Sequence, residues 1–386
     1  MKNFMFYNPV KIIFGKGELN KLNGLILADK KVLVLYGGGS IKKNGVYSAV
    51  IDALKEYKVY EFSGIEPNPR YETCMKAVDL IKKENIDFLL AVGGGSVIDA
   101  TKFIAAAVNY ISGDPWDILA NGVRPKTALP FGVVLTLPAT GSEMNSGSVI
   151  TRESTQEKFA FGSPVTFPQF SILLPDAAAT LPKKQVANGV ADAFVHVIEQ
   201  YVNYPVNAKL QDRFAESILQ TLIEIGPKVV ENPEDYELMS NLMWSATMAL
   251  NGLIGVAVPQ DWGIHMIGHE LTALHEIDHA RTLAIVLPGY WKVLKNEKRE
   301  KILQYGERVL GVSEGDEKER IDLIIKKTEE FFNSLGIYTK LADYGIKEDS
   351  IDKISNRFLE RKWMKIGDRG LVTPDSVKTI LTTQLI

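Results

Sequence analysis

Short apolar runs alternate with helical patterns through the first half of the chain. The clearest runs are KVLVLY at residues 31–36, DFLLAV at 87–92 and FGVVLTL at 131–137. Between the first two runs, apolar residues recur at helical spacing, as in residues 71–84. Strands that alternate with helices in this way are typical of βαβ units. We therefore predict an α/β fold with a parallel sheet in this half.

The pattern changes after about residue 180. Long segments such as AKLQDRFAESILQTLIEIG, residues 208–226, place apolar residues three and four positions apart, which indicates amphipathic helices. Breaks between helices are predicted at Asn232-Pro233 and at residues 255–259. We therefore predict an α/β domain over residues 1–179 and an all-helical domain over residues 180–386.

Composition and charge exclude several classes of protein. The net charge is −3 and no basic run is present, which argues against nucleic acid or an anionic membrane as a partner. No apolar run approaches the ~18 residues that span a membrane, and the first residues do not resemble a signal peptide. Cys74 is the only cysteine, which fits a reducing compartment. We expect a soluble, cytoplasmic protein.

Glycine-rich loops follow two of the predicted strands. Residues 37–40 and residues 93–96 both read GGGS, and each precedes a predicted helix. Glycine lets backbone N–H groups approach a phosphate, and a helix N-terminus adds partial positive charge. One such loop could be an ordinary tight turn, but two in one α/β half favour a dinucleotide. The residues TLPATGS, 136–142, form a third small-residue loop that we assign to the nicotinamide side.

The residues after the first loop indicate which nicotinamide cofactor is bound. No carboxylate follows Tyr36 directly, where it would hold a ribose 2′-hydroxyl. Ser40, Lys42 and Lys43 lie there instead and suit a 2′-phosphate. NADP(H) is therefore favoured over NAD(H).

Histidine is scarce and concentrated in this chain. Four of the five histidines lie within residues 261–282, and the fifth follows Asp192 by one helical turn. Imidazole and carboxylate ligands without a thiolate suit Zn²⁺ or Fe²⁺, so we predict a catalytic divalent metal. Spacing does not decide which histidines bind it. The five are His196, His265, His269, His275 and His279.

A competing motif lies in the same stretch. Residues 275–279 read HEIDH and fit the zinc-protease pattern H-E-x-x-H. That interpretation leaves both glycine loops, Asp192 and His196 without a function, so we disfavour it.

An ordered series of motifs along essentially the whole chain resembles the iron-containing (group III) alcohol dehydrogenases. The similarity is greatest to the bacterial branch of NADPH-dependent aldehyde reductases and butanol dehydrogenases. This resemblance implies a dehydroquinate synthase-like fold, with dinucleotide binding in residues 1–179 and metal binding and catalysis in residues 180–386. The motifs are IIFGKG, YGGGS, GIEPNP, LLAVGGGSVIDATKFIA, TLPATGSE, QVANGVADAFVHVIEQY, NGLIG, VPQDWGIHMIGHELTALHEIDHA and TLAIVLP.

The resemblance also implies roles for individual residues. His269 matches a position near the nicotinamide and is a predicted proton relay, whereas His275 has no required role. The implied metal ligands are Asp192, His196, His265 and His279. The implied cofactor contacts are Gly38, Gly39 and Ser40 at the 2′-phosphate, Gly94, Gly95, Ser96 and Asp99 at the pyrophosphate, and Asn68, Thr136, Thr140 and Lys158 elsewhere on the cofactor.

The reaction that the resemblance implies is reversible hydride transfer between NADP(H) and short to medium aldehydes and primary alcohols. By the same analogy, the N-terminal residues FMFYNPVKIIFG form a strand that pairs across a homodimer. Two alternatives stay open at this point. One is a dinucleotide-binding sensor whose metal ligands are idle, and the other is a glycerol or 3-dehydroquinate type of cleft on the same fold.

Overall fold

A computed structural model describes residues 1–386. The chain forms two compact units, which we call the sheet unit and the helical unit. The sheet unit comprises Tyr7–Pro182 and Asn232–Thr247. The helical unit comprises Met1–Phe6, Lys183–Glu231 and Met248–Ile386.

Six of the eight strands form one parallel sheet in the order β1-β8-β5-β4-β2-β3. The other two, β6 and β7, form an antiparallel hairpin. The strands are β1 Lys11–Phe14, β2 Lys31–Tyr36, β3 Lys58–Phe62, β4 Phe88–Gly93, β5 Phe131–Leu135, β6 Gly147–Arg152, β7 Glu157–Gly162 and β8 Phe170–Leu173.

The four central strands of the sheet are buried on both faces. Every residue of β4, β5 and β8 is buried, as is all of β2 after Lys31. Helices cover both faces of a parallel sheet, so its strands read as continuous apolar runs. This explains why β2, β4 and β5 stand out in the sequence. Strand β8 has only four residues, FSIL, and the sequence pattern did not reveal it.

Neighbouring central strands pack closely enough to require a glycine. Gly132 of β5 pairs in register with Phe170 of β8. A methyl group at Gly132 would overlap the Phe170 ring. Glycine at this position lets the aromatic ring lie flat over the neighbouring strand.

The helices of the sheet unit carry the connections between its strands. Helix α4 is buried along nearly its whole length, because alanine and other apolar residues fill most of its positions. The helices are α1 Ser40–Lys43, α2 Val46–Ala53, α3 Tyr71–Glu84, α4 Gly95–Ala107, α5 Asp117–Ala120, α6 Pro175–Ala178 and most of α9, Tyr236–Ala249.

The helical unit contains the remaining long helices. None of them combines the length and the hydrophobicity that a membrane crossing requires. Its helices are α7 Lys183–Tyr201, α8 Lys209–Glu231, α10 Gly263–His275, α11 His279–Leu294, α12 Arg299–Leu310, α13 Glu317–Ser334, α14 Glu348–Glu360 and α15 Pro374–Thr382.

The predicted fold class, a parallel α/β sheet domain and a helical C-terminal part, is confirmed. Two segments group apart from the predicted division: residues 1–6 group with the helical unit, and residues 232–247 group with the sheet unit. There, Trp244 packs edge-on against Phe14, and Thr247 Oγ1 donates a hydrogen bond to Glu143 Oε1 at 2.5 Å. These contacts involve residues far apart in sequence, so helical periodicity could not reveal them. The domain boundary at residues 179 and 180 stays a prediction.

Candidate metal centre and cofactor loops

Helix α7 positions two predicted metal ligands on one face. Asp192 and His196 are four residues apart, so they lie one above the other along the helix. His196 Nε2 lies 3.8 Å from Asp192 Oδ1, and both side chains are buried. Most of α7 is buried as well, so this pair faces the interior of the helical unit.

Two further helices bring histidines to the same place. The ligand atoms of Asp192, His265 on α10 and His279 at the start of α11 lie within 4.8 Å of one another. His196 is outside this group of three, yet its ring stacks on His265 with centroids 4.8 Å apart. All four predicted ligands therefore form one cluster.

The Asp192 carboxylate is the clearest indication of what this cluster binds. Its Oδ1 atom is buried and accepts no hydrogen bond. Leaving a carboxylate oxygen in that condition is costly unless a cation or a donor neutralises it. One carboxylate and three imidazoles without a thiolate suit Zn²⁺ or Fe²⁺. The residues present therefore fit a divalent metal.

A carboxylate that the sequence analysis missed lies behind one of the ligands. Glu199 Oε2 contacts His265 Nδ1, so a metal held by this ring would bind Nε2. Burial raises the pKa of Glu199 well above its usual range, and the Asp261 carboxylate adds to the rise, so the ionised form needs positive charge nearby. Glu199 is seven residues after Asp192, a spacing that also falls on one helix face and could have revealed it.

Two aromatic side chains border the cluster. The His269 ring lies 5.0 Å from His279 and 6.2 Å from His265, measured between centroids. The Trp262 indole packs edge-on against His265 at 5.3 Å. The structure thus brings the predicted proton relay next to two predicted ligands.

The backbone conformation contradicts the H-E-x-x-H interpretation. Helix α10 ends at His275, Glu276 has a left-handed conformation with φ 55°, and α11 begins at His279. The two histidines therefore do not share a helix, as the zinc-protease motif requires. His275 lies instead near Lys353 and Asp349, and its pKa is lowered by burial and by Lys353.

The two glycine loops of the sheet unit lie at a reversal of strand order. They follow β2 and β4, which are neighbours, while β3 lies beyond β2 and β5 beyond β4. In open parallel sheets, ligands bind at the carboxyl ends of the strands where the order reverses. The predicted dinucleotide loops therefore occupy the expected position in the sheet.

The two loops differ in how much space surrounds them. A methyl group at Gly38 or Gly39 would meet nothing within 4 Å, so the backbone there is accessible. A methyl group at Gly94 would lie 2.9 Å from Leu137 Cβ, and one at Gly95 would collide with Thr140. Glycines 94 and 95 thus let the start of α4 approach the loop after β5, which brings together two groups of predicted contacts.

A buried lysine fixes that approach. The Lys102 ammonium donates to Ser142 Oγ at 2.8 Å, to Asn145 Oδ1 at 2.9 Å and to the Gly147 carbonyl at 2.8 Å. Burial lowers the pKa of Lys102 to about 8, although Asp99 opposes the change. Lys102 was not singled out in the sequence, because one lysine in an apolar helix carries no distinctive spacing.

The remaining predicted cofactor contacts lie around these loops. Asp99 accepts hydrogen bonds from Ser142 Oγ at 2.6 Å and from Val149 N at 2.9 Å. Ser96 is the second residue of α4, and Thr136 follows β5 directly, with its N–H donating to the Gly93 carbonyl at 3.0 Å. These roles in cofactor binding stay predictions.

Two predicted contacts that are distant in sequence meet each other. Lys158 of β7 donates from Nζ to Asn68 Oδ1 at 2.8 Å, and Asn68 has a left-handed backbone with φ 56°. The hairpin thereby joins the loop after β3, where Thr151 N donates to the Pro69 carbonyl at 2.9 Å. The sequence analysis did not predict this hairpin.

A charged aromatic cluster stands beside the first glycine loop. The hydroxyls of Tyr36 and Tyr47 donate to the two oxygens of Glu61 at 2.9 and 2.8 Å. Lys42 Nζ lies 5.2 Å from the centre of the Tyr36 ring and 4.6 Å from that of Tyr47. The lysine therefore lies over both tyrosine rings, two residues after Ser40 in the sequence.

Family models match both parts of this chain. The model described as iron-containing alcohol dehydrogenase matches residues 9–175, and that of the C-terminal part of the Fe-containing alcohol dehydrogenase family matches residues 186–385. The chain belongs to the iron-containing alcohol dehydrogenase family. The predicted family is thus confirmed, and with it the reaction class, an oxidoreductase of the alcohol dehydrogenase and aldehyde reductase type.

Relatives are similar over nearly the full length. NADPH-dependent aldehyde reductase YqhD of Escherichia coli (strain K12) is 54% identical over 382 residues, which cover 98% of this chain and 99% of that protein. Probable NADH-dependent butanol dehydrogenase 1 of Bacillus subtilis (strain 168) is 47% identical and covers 92% of this chain and 93% of that protein.

Solved structures of relatives share the fold. The crystal structure of E. coli K-12 YqhD has a TM-score of 0.98 and covers 99% of this chain and 98% of that one. The structure of NADH-dependent butanol dehydrogenase A from Thermotoga maritima has a TM-score of 0.96 at 38% identity and covers 100% of this chain and 99% of that one.

Replacing Asp192 tests whether the cluster binds metal. We expect Asp192→Ala to lose bound metal, because removing the carboxylate leaves only neutral imidazoles in the cluster. Metal content per chain, measured by mass spectrometry after desalting, should fall at least tenfold. His275→Ala is the matched control, because this histidine lies outside the cluster, and it should keep its metal. Equal loss in both variants, or in neither, would contradict the ligand assignment.

Proposed function

We propose that this protein is a metal-dependent aldehyde reductase and alcohol dehydrogenase that transfers hydride between NADP(H) and short to medium aldehydes or primary alcohols. One observation carries the proposal, the cluster of buried Asp192 and His265 with half-buried His279 in a chain of this family. The reaction requires a bound nicotinamide cofactor and a bound metal ion.

Asp192, His196, His265 and His279 are the proposed ligands of one Zn²⁺ or Fe²⁺ ion. When bound, such an ion supplies a Lewis acid that polarises the aldehyde carbonyl and stabilises the developing alkoxide. Asp192 contributes the negative charge of the ligand set, and the three imidazoles leave the ion a net positive charge. Glu199 orients His265 through Nδ1.

His269 is the proposed group for proton transfer. Its ring is half-buried, its Nε2 atom is shielded from solvent, and its nearest imidazole is that of His279. A histidine is suited to giving a proton to an alkoxide near neutral pH, because its ordinary pKa lies close to that pH. We place the transferred proton on His269 Nε2.

NADPH is the proposed cofactor, with NADH the weaker alternative. The open backbone at Gly38 and Gly39 admits a phosphate, and Ser40 starts a helix at the same point. Lys42 and Lys43 are exposed on that turn and supply positive charge. Glu61, the neighbouring carboxylate, has both oxygens engaged by tyrosine hydroxyls. The other proposed contacts are Asn68, Gly94, Gly95, Ser96, Asp99, Thr136, Thr140 and Lys158.

A homodimer is also proposed. Four consecutive N-terminal residues, Phe4 to Tyr7, are apolar or aromatic and at least 45% exposed. They precede β1, an edge strand of the parallel sheet. Exposed apolar residues that follow one another along the chain are typical of an association surface. A cytoplasmic location is proposed from the single cysteine, Cys74, which is buried and unpaired.

A cofactor oxidation assay tests the reaction. We expect absorbance at 340 nm to fall when NADPH and butanal are added to metal-loaded protein, and expect chelator treatment to abolish this. Readdition of Zn²⁺ or Fe²⁺ should restore the activity, because the apoprotein keeps its ligands. Turnover that survives complete metal removal would contradict the metal-dependent mechanism, and no turnover of any aldehyde would contradict the substrate class.

Replacing Lys42 tests the cofactor preference. We expect Lys42→Ala to raise the KM for NADPH about tenfold, corresponding to ~1.4 kcal/mol, and to leave the KM for NADH nearly unchanged. The reason is that only NADPH carries the 2′-phosphate. Lys58→Ala is a matched control, since Lys58 also lies over a tyrosine ring but at the start of β3. A parallel rise for both cofactors would contradict the role of Lys42.

Light scattering during gel filtration tests the homodimer. We expect twice the chain mass of 42.8 kDa for the natural protein. Phe4→Asp combined with Phe6→Asp should shift the mass toward one chain, because charge on both partners' segments opposes association. Ile111→Asp provides the control, because Ile111 is apolar and 92% exposed elsewhere on the surface. A single-chain mass for the natural protein would refute the dimer.

A further inference from the structure

We infer that Glu199 is a positioning residue that sets the tautomer of His265, so that the lone pair of Nε2 faces Asp192 and His279. The inference rests on the proposed function, because it presumes a metal at this cluster. It assigns a role to a residue that no sequence motif singled out as a ligand or catalyst.

Glu199 meets His265 with both of its oxygens engaged. Oε2 contacts His265 Nδ1, while Oε1 accepts from Ile264 N at 2.7 Å and from His265 N at 3.4 Å. An ionised carboxylate only accepts hydrogen bonds, so in the ionised form of Glu199 the proton of this contact lies on Nδ1. In a neutral imidazole the other nitrogen then holds the lone pair. The Nε2 atom of His265 is thereby prepared to bind a cation.

The surroundings hold Glu199 in this orientation. Its main-chain carbonyl accepts a hydrogen bond from Asp261 N at 2.9 Å, two residues before α10 begins. Asp261 in turn accepts from Gly263 N at 3.1 Å and from the Tyr290 hydroxyl at 2.6 Å. Main-chain and side-chain hydrogen bonds therefore join the end of α7 to the start of α10 around the contact between Glu199 and His265.

A buried lysine completes this support. Lys298 Nζ lies 2.5 Å from Asp261 Oδ2 and 3.1 Å from Asp368 Oδ1, and it donates to the Val202 carbonyl at 2.8 Å. All three charged side chains are at most 7% exposed. The Lys298 ammonium neutralises the Asp261 carboxylate. The Glu199 carboxylate is bonded instead to His265 and to the backbone of α10.

Glutamine at position 199 cannot reproduce these contacts. The amide has one acceptor oxygen and one donor NH₂, whereas the site presents backbone N–H donors on one side and Nδ1 on the other. When the amide oxygen faces the backbone, the NH₂ group donates to Nδ1 of His265. Nδ1 must then be unprotonated, so the proton of the neutral ring lies on Nε2. A protonated Nε2 has no lone pair for a metal. The substitution changes the hydrogen-bonding pattern but hardly the shape.

Metal affinity of Glu199→Gln is the first test. We expect Zn²⁺ affinity, measured by competition with a chromogenic chelator, to fall about 10- to 100-fold relative to the natural chain, as when the partner of a ligating histidine is removed. The thermal midpoint of the metal-stripped variant should stay close to that of the stripped natural chain, whereas the rise on adding Zn²⁺ should shrink.

Glu216→Gln is the matched control. Glu216 is also buried, and its partners are Tyr201, Gln304 and Arg308 rather than a metal ligand. This variant should bind Zn²⁺ as the natural chain does. Unchanged affinity in Glu199→Gln, or an equal loss in both variants, would overturn the inference.

The tautomer itself can be observed in the natural chain, so the inference does not depend on the variant folding. With ¹⁵N-labelled histidine, long-range ¹H–¹⁵N spectra at pH 8 should show His265 protonated at Nδ1, and Zn²⁺ should shift Nε2. Assignment uses His265→Gln. A proton on Nε2 of His265 in the stripped protein would overturn the inference. A natural chain that binds no Zn²⁺ would overturn the metal centre as well, which separates the two failures.

Discussion

The Asp192 carboxylate is 4% exposed, lies among imidazole rings and has an oxygen without a hydrogen bond. Removing a charged carboxylate from water costs several kcal/mol unless opposite charge compensates. Glu199, 1% exposed on the same helix, adds a second buried carboxylate one ring away. The helical unit therefore concentrates buried carboxylates whose charge a cation would compensate. The surrounding helices supply imidazoles, and an imidazole that binds in its neutral form would not cancel the charge of that cation.

In the sheet unit the corresponding constraint is the parallel direction of the strands. Because all six strands run the same way, the loops after β2, β4 and β5 emerge at one edge. Glycines 94 and 95 permit a close approach between the start of α4 and the loop after β5 that any side chain would block. Buried Lys102 stabilises this approach by donating a hydrogen bond to Ser142. The open Gly38 and Gly39 serve a different purpose, exposing backbone at the outer loop. Glycine thus permits close packing in one loop of the sheet unit and exposes the backbone in another.

Local patterns in the sequence could be predicted, whereas contacts between residues far apart in the sequence could not. Strands β2, β4 and β5 were predictable because burial on both faces leaves a continuous apolar run, and helix α7 was predictable because its apolar residues lie three and four positions apart. The pairing of Asp192 with His196 follows from helical spacing, but the choice of His265 and His279 over His275 does not. That choice depends on the break at Glu276, where α10 ends before α11 begins at His279. The β6–β7 hairpin was not predicted, and neither was its contact with the Asn68 loop, which is distant in sequence.

The position of His265 depends on backbone that is not helical. Helix α10 begins at Gly263, only two residues earlier, after Trp262 with φ 62°. A ring so near a helix start is not fixed by the helix alone, since the first turn lacks internal partners for its N–H groups. Glu199 accepts two of those N–H groups and also meets the ring. One carboxylate therefore caps the helix and contacts the His265 ring, which explains why it is buried despite the cost of removing it from water.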